Sequence, residues 1–277
     1  MRVLVTGAAG TIGSVLCSGL VDRGYEVVGL DRMVEPEGFT GAWFTADCAD
    51  PDAVDAVFRA LPGGVDAVVH LAGIPTEASL PDILASHVVM TGVLLDAMLT
   101  HGVSRIVYAS SNHAVGRTPR RDLLGVEVRP RPDTFYGVGK VAAEALLSLY
   151  VDRHGLDAVV VRIGSFLPQP ESRRALSTWL SHDDAVRLVD ACLTAPDPGF
   201  AVLYGISANT RAWWDLEPGR RLGYQPQDDA ERFASAVEQV PATDADEVEA
   251  GYVGGDFVTE TFFRPALDVP LASSDGG

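Results

Sequence analysis

Eight residues near the N-terminus, Thr6-Gly7-Ala8-Ala9-Gly10-Thr11-Ile12-Gly13, restrict this chain more than any other stretch. They follow a short apolar run, Met1-Arg2-Val3-Leu4-Val5, and open a segment of helical character. Gly7 permits the tight turn, Gly10 lets backbone approach a pyrophosphate, and Gly13 allows helix and strand to pack closely. The free amides at the helix start then bind phosphate. A glycine trio alone is weak evidence. Here it has a strand before it, a helix after it, and an acidic residue, Asp31, about 20 residues on at the end of a second strand. Gly7, Gly10, Thr11, Ile12 and Gly13 therefore read as a dinucleotide cradle.

Asp31 selects the cofactor. A carboxylate there accepts hydrogen bonds from the adenosine ribose and repels a 2′-phosphate, which favours NAD. Arg32 offers that phosphate a charge and keeps NADP as the lesser reading. Asp47-Cys48, after the third strand, fall where either an adenine-contacting pair or a solvated turn belongs. Leu71-Ala72-Gly73, at the end of the fourth strand, are counted with the cofactor-binding residues.

Apolar runs of strand length alternate with helix-period segments along most of the chain. Arg2–Val5, Glu26–Leu30, Ala42–Thr45, Asp66–Ala72, Arg105–Ser110, Asp157–Ile163 and Ala201–Ile206 read as strands, apolar on both faces as in a covered parallel sheet. Asp50-Pro51 starts a helix over Ala53–Leu61, and Pro81 opens another over Asp82–Thr100. Further helices are expected from about Gly137 to His154 and from Asp183 to Thr194. His182 is read as a capping residue of the last. Repeated βα units of this kind predict an α/β fold, a doubly wound Rossmann parallel sheet with a small C-terminal substrate lobe. The expected division is a core over 1–165, a substrate-side segment over 166–264 packed on it, and a flexible tail over 265–277.

With 277 residues, the chain can bury a core that needs neither disulfide nor structural metal. Its three cysteines, Cys17, Cys48 and Cys192, match no metal-ligand or CxxC spacing and suit a reduced, cytoplasmic protein. A net charge of −17 argues against a nucleic-acid partner. No apolar run is read as long enough to span a membrane, and no metal site is expected. Val88–Leu99 and Val141–Tyr150 are apolar nearly all round, so each needs a partner beyond the sheet. A homodimer is the preferred partner, and cover by the C-terminal segment the alternative.

The chemistry points to Tyr136-Gly137-Val138-Gly139-Lys140. Phenol and ammonium four residues apart share one helix face, and a nearby positive charge lowers a tyrosine pKa toward a usable base. Ser110-Ser111 close the fifth strand, at the sheet edge where doubly wound folds place their active sites.

These motifs resemble the extended short-chain dehydrogenase/reductase family over residues 1–165. The resemblance implies that Ser111 orients the substrate hydroxyl, Tyr136 removes its proton, and Lys140 holds the nicotinamide ribose while lowering the Tyr136 pKa. Ser111 is preferred to Ser110 because it aligns with the family serine five residues before the glycine matched by Gly116. Ser110-Ser111-Asn112-His113, Val161-Arg162-Ile163-Gly164-Ser165, Arg174-Ala175-Leu176-Ser177-Thr178-Trp179, Ser181-His182-Asp183-Asp184 and Trp213-Trp214-Asp215 resemble the uronate dehydrogenase family more narrowly. That family oxidises C1 of a hexuronate with NAD to an aldarolactone. The resemblance implies that Asn112, His113 and Ser165 contact the sugar and that Arg174 pairs with its carboxylate.

A guanidinium does suit bidentate carboxylate recognition, although by chemistry alone Arg173 is as good a candidate as Arg174. Two positions depart from the family. Pro75 stands where a sugar-contacting serine is usual, so Thr76 is the remaining hydroxyl there. His87 stands where asparagine is common. The competing readings are a nucleotide-sugar epimerase or dehydratase, for whose nucleotide little chain remains after residue 165, and a non-catalytic NAD sensor.

Overall fold

The computed structural model describes residues 1–239 and 241–267. Seven strands form one sheet: β1 (Arg2–Thr6), β2 (Glu26–Asp31), β3 (Ala42–Thr45), β4 (Ala67–His70), β5 (Arg105–Ser111), β6 (Asp157–Ile163) and β9 (Phe200–Gly205). Two short strands, β7 (Ser165–Phe166) and β8 (Trp179–Leu180), pair separately between β6 and β9. The main sheet is parallel throughout, in the order β3-β2-β1-β4-β5-β6-β9. The chain thus starts in the middle, winds to one edge, and returns across β1 to the other. The reversal between β1 and β4 opens a crevice at the strands' C-terminal ends, where ligands bind in such sheets.

Helices cover both faces because each strand alternates its apolar side chains between two cores. Val3 and Val5 of β1 face α1 (Thr11–Asp22), whereas Leu4 faces α2 (Pro51–Arg59) and α3 (Leu80–Thr100). On this second face α4 (Phe135–His154) adds Ala143 and Leu147, and on the first α5 (His182–Thr194) adds Leu188 and Val189. The sequence after residue 165 supplies both α5 and the edge strand β9.

Helix starts follow local capping chemistry, and they refine the expected boundaries. Asp50 accepts from the amides of Asp52 and Ala53 ahead of α2. Ser79 caps α3, which begins at Leu80 and passes through a π-helical turn over Leu84–Val89. Thr134 accepts from Gly137 N at 3.1 Å, so α4 starts at Phe135, and Gly155 ends it at φ +69°. At α5 the cap is Ser181, not His182: a short hydroxyl reaches Asp184 N, while the imidazole stacks on Phe166 at 4.6 Å.

One expectation about apolar runs is corrected. At 21 residues, α3 is long and apolar enough by length and composition to cross a membrane. Here Leu94, Leu95 and Met98 are fully buried against the sheet, as in a core helix. The outer surface of α3 and α4 exposes Leu84, Val89 and Leu149, among which Val89 is 56% exposed. Of the expected tail, residues 268–277 lie outside the described residues. Its beginning is anchored: the carbonyl of Ala266 accepts from Leu80 N at 3.0 Å, at the first residue of α3.

Candidate active site

A cleft of about 830 Å³ opens at the C-terminal ends of β1, β2, β4, β5 and β6. Gly7, Gly10, Thr11, Ile12 and Gly13 form its floor. Gly7 has φ +70°, and a Cβ there would stand 2.7 Å from Ala72 N; a Cβ at Gly13 would stand 2.2 Å from Gly7 O. Only bare backbone fits. Gly10 caps α1 without a side chain, and no acidic residue lies in its first turn, so the leading amides keep their donors for an anion. An NAD pyrophosphate matches this donor set.

The other expected cofactor residues line the same cleft. Asp31 ends β2 with its carboxylate held by Ala9 N and Met33 N, both at 3.0 Å. Asp47 accepts from Ala49 N at 2.9 Å, and beside it burial pushes the Cys48 thiol up to about 12. Leu71, Ala72 and Gly73 lead out of β4, tied back to β1 by Ala72 N to Thr6 Oγ1 at 3.3 Å.

Tyr136, Lys140 and Ser111 converge in the cleft. Lys140 is buried, donates to Ala109 O at 2.7 Å, and lies 5.5 Å from the centre of the Tyr136 ring. Its ammonium is pushed down to about 7 by burial, with Glu144 opposing. The expected lowering of the phenol is overturned. Burial drives Tyr136 up to about 12, Asp133 adds to the rise, and the hydrogen bond with Ser111 opposes it. Burial disfavours the phenolate and sets the direction of the shift. Ser110 differs from Ser111 in what its hydroxyl reaches: it donates to Glu144 at 2.5 Å, and Glu144 is also gripped by Arg162 at 2.7 and 3.1 Å.

Asn112 and His113 follow Ser111 in a short 3₁₀ turn and also line the cleft. Asn112 Nδ2 donates to Val253 O at 2.9 Å. His113 is held through Nδ1 by Asp133 at 2.8 Å, with its ring 5.7 Å from that of Tyr136. Ser165 and Arg174 sit just outside the cleft lining, linked at 3.4 Å. Arg174 also donates to Val253 O, whereas Arg173 runs to Glu238, 3.6 Å away. The two arginines thus serve different surroundings. Pro75 lines the cleft, but the exposed Thr76 does not. His87 inserts from the π turn of α3, its Nε2 donating to Ile74 O at 2.9 Å, and burial pushes it down to about 3.

Three contributors escaped the sequence reading. Glu77 binds the first amides of α4, Asp133 orients His113, and the C-terminal turn at Val253 meets Asn112 and Arg174 through its carbonyl. Asp133 precedes a capping threonine and was in principle legible there; the Val253 carbonyl carries no sequence signal.

The model of the NAD dependent epimerase/dehydratase family matches residues 3–182. Uronate dehydrogenase of Pseudomonas putida is 40% identical over 92% of this chain and 95% of its own. That of Agrobacterium fabrum is 40% identical over 95% of this chain and 98% of its own. The crystal structure of a mutant uronate dehydrogenase from Agrobacterium tumefaciens, complexed with NAD, superposes with a TM-score of 0.87 at 38% identity, covering 95% of this chain and 99% of that one.

Proposed function

We propose that this chain, which belongs to the NAD-dependent epimerase/dehydratase family and within it to the uronate dehydrogenases, oxidises a free hexuronic acid, galacturonate or glucuronate, at C1 and releases an aldarolactone. The observation that carries this reading is a single cleft lined by the dinucleotide cradle, by Ser111, Tyr136 and Lys140, and by Asn112 and His113, with Arg174 adjoining. A half-buried guanidinium next to a redox site answers to a substrate with a carboxylate remote from the reacting carbon.

NAD, when bound, supplies the acceptor for the hydrogen leaving C1. Ser111 and Tyr136 line the cleft together and present their hydroxyls to the C1 hydroxyl. A phenol held at about 12 is protonated at neutral pH, so it takes the substrate proton only as its own departs. Lys140, held near 7, is a group able to receive that proton. The hemiacetal ring is oxidised in place, and the product is therefore a lactone. Arg174 anchors the carboxylate, using binding far from C1 to align it.

The protein is further read as a cytoplasmic homodimer joined through the outer faces of α3 and α4. Support comes from the exposed Leu84, Val89 and Leu149 and from three buried free thiols, Cys17, Cys48 and Cys192. The decisive experiment is NADH formation from galacturonate, glucuronate, galactose and glucose, with the product identified as lactone by NMR. Absence of turnover on both uronates would sink the assignment.

A further inference from the structure

Behind the reacting groups lies a buried carboxylate to which the oxidation itself gives no task. Glu144 follows Lys140 by one turn of α4, and both side chains are buried. Its Oε1 accepts from Ser110 Oγ at 2.5 Å and from Arg162 Nε at 3.1 Å, and its Oε2 from Arg162 Nη2 at 2.7 Å. Ser110 and Arg162 are register partners on β5 and β6, so two strands and one helix meet at this carboxylate. The guanidinium and the hydroxyl compensate it for lost water. Lys140 Nζ donates instead to Ala109 O at 2.7 Å, so Glu144 acts on it through space.

The other groups around Lys140 carry no charge at neutral pH. From β5 the centre of the Tyr108 ring lies 5.0 Å away, and from α4 that of Tyr136 lies 5.5 Å away; burial keeps both phenols protonated. His70 of β4 and His87 of the π turn, pushed down to about 3 by burial, are neutral. Glu77 and Asp133 serve the start of the helix, on the amides of Phe135 and Tyr136 and on the His113 ring. Burial among neutral groups weakens the hold of an amine on its proton, and an opposite charge nearby restores part of it. Lys140 shows both effects, burial pulling it down to about 7 and Glu144 opposing. We propose that Glu144 is a positioning residue for the proton transfer: its carboxylate, fixed by Arg162 and Ser110, keeps the proton affinity of Lys140 high enough for the amine to receive the substrate proton near neutral pH. This deepens the dehydrogenase reading and rests on it.

Lys140 is the one lysine in the chain, so protein made with isotope-labelled lysine gives a single side-chain NMR signal that follows its titration without turnover. In the NADH complex the midpoint should fall by about one pH unit in Glu144→Gln and by at most about a third of that in Glu144→Asp, which keeps the charge. The acid limb of kcat on galacturonate should move to lower pH with it, since a weaker base sheds its proton sooner. If an uncompensated Arg162 unfolds Glu144→Gln, Glu144→Leu combined with Arg162→Met replaces the whole pair by apolar groups, a change that buried ion pairs often tolerate. There the midpoint should still fall, by less. A structural role alone would lower stability or kcat and leave midpoint and limb in place. That result, or equal shifts in Glu144→Gln and Glu144→Asp, would overturn the proposal. Wild type inactive on uronates, with the midpoints moving as stated, would instead refute the function on which it rests.

Discussion

The carboxylate of Glu77 spans the start of the catalytic helix, its Oε2 2.8 Å from the amide of Tyr136 and its Oε1 3.1 Å from that of Phe135. Tyr136 is therefore held by its backbone from the loop that leaves β4, as well as through its own helix. A carboxylate at this end also complements the helix dipole.

Removing that grip should loosen the phenol. Glu77→Ala is expected to cost about 1–2 kcal/mol of stability, the range for a lost N-terminal cap, and to lower kcat more than it raises KM. Glu77→Gln keeps one acceptor and should fall between. Thermal unfolding and steady-state kinetics on the three proteins check this, and an unchanged kcat in a destabilised Glu77→Ala would remove the positioning role.

A second prediction concerns the price of burying Lys140. Its folded pKa, about 7, lies below the ordinary lysine value, so between these values the unfolded chain holds a proton that the native state does not. The sign follows: the destabilisation is complete below pH 7 and is relieved as pH climbs toward 10.5. Lys140→Met should abolish turnover yet raise stability by roughly 3–5 kcal/mol at pH 6, with a smaller advantage at pH 9. Denaturant melts at both pH values decide it, and a constant difference would mean that Lys140 is not desolvated as described. His70 and His87, both pushed down to about 3 by burial, act in another window: stability should be lost as pH falls from 6.5 toward 3.

Asp31 leads to a prediction about cofactor choice. Both its oxygens already accept backbone amides, from Ala9 and Met33, which aims the carboxylate from the end of β2 toward the cleft. Asp31→Asn keeps an acceptor but removes the charge. It should lower kcat/KM with NAD about 10- to 100-fold and narrow the preference over NADP, since Arg32 stays in place. Unaltered discrimination would shift the determinant elsewhere.

How much of this could be read beforehand depends on whether the signal is local. The Gly7–Gly13 cradle, the capped start of α2 and the two-sided apolar strands are set by neighbours a few residues away, and the local sequence reveals them. The start of α4 at Phe135 depends on Thr134, three residues before Gly137, and was legible as a cap. Other features depend on residues far apart in sequence. Glu77 reaches Tyr136 across 59 positions and Asn112 reaches Val253 across 141, and nothing in either neighbourhood announces such pairings. The phenol was misjudged for a related reason: spacing reveals that Lys140 shares the face of Tyr136, but only the packed structure reveals how completely both are desolvated.

The last prediction tests the sugar side. Arg174 is half-buried, links Ser165 and Val253, and has a lowered pKa because desolvation exceeds the pull of Glu249, Asp256 and Asp133. A charge kept in such surroundings is stabilised when a carboxylate arrives, and that gain is available only to acidic sugars. Arg174→Ala should therefore lower kcat/KM on galacturonate by a factor corresponding to about 2–4 kcal/mol, with less effect on galactose. Arg173→Ala should spare activity, because Arg173 pairs with Glu238, 3.6 Å away. Pro75 bears on the same comparison. It lines the cleft without offering a hydroxyl, and under the proposed function sugar recognition then rests on Asn112, His113 and Arg174. If Pro75→Ser improved galacturonate turnover while Arg174→Ala still abolished selectivity, the two groups would act on separate parts of the sugar. Equal losses on acidic and neutral sugars in Arg174→Ala would instead make the arginine a structural tie between Ser165 and the Val253 turn.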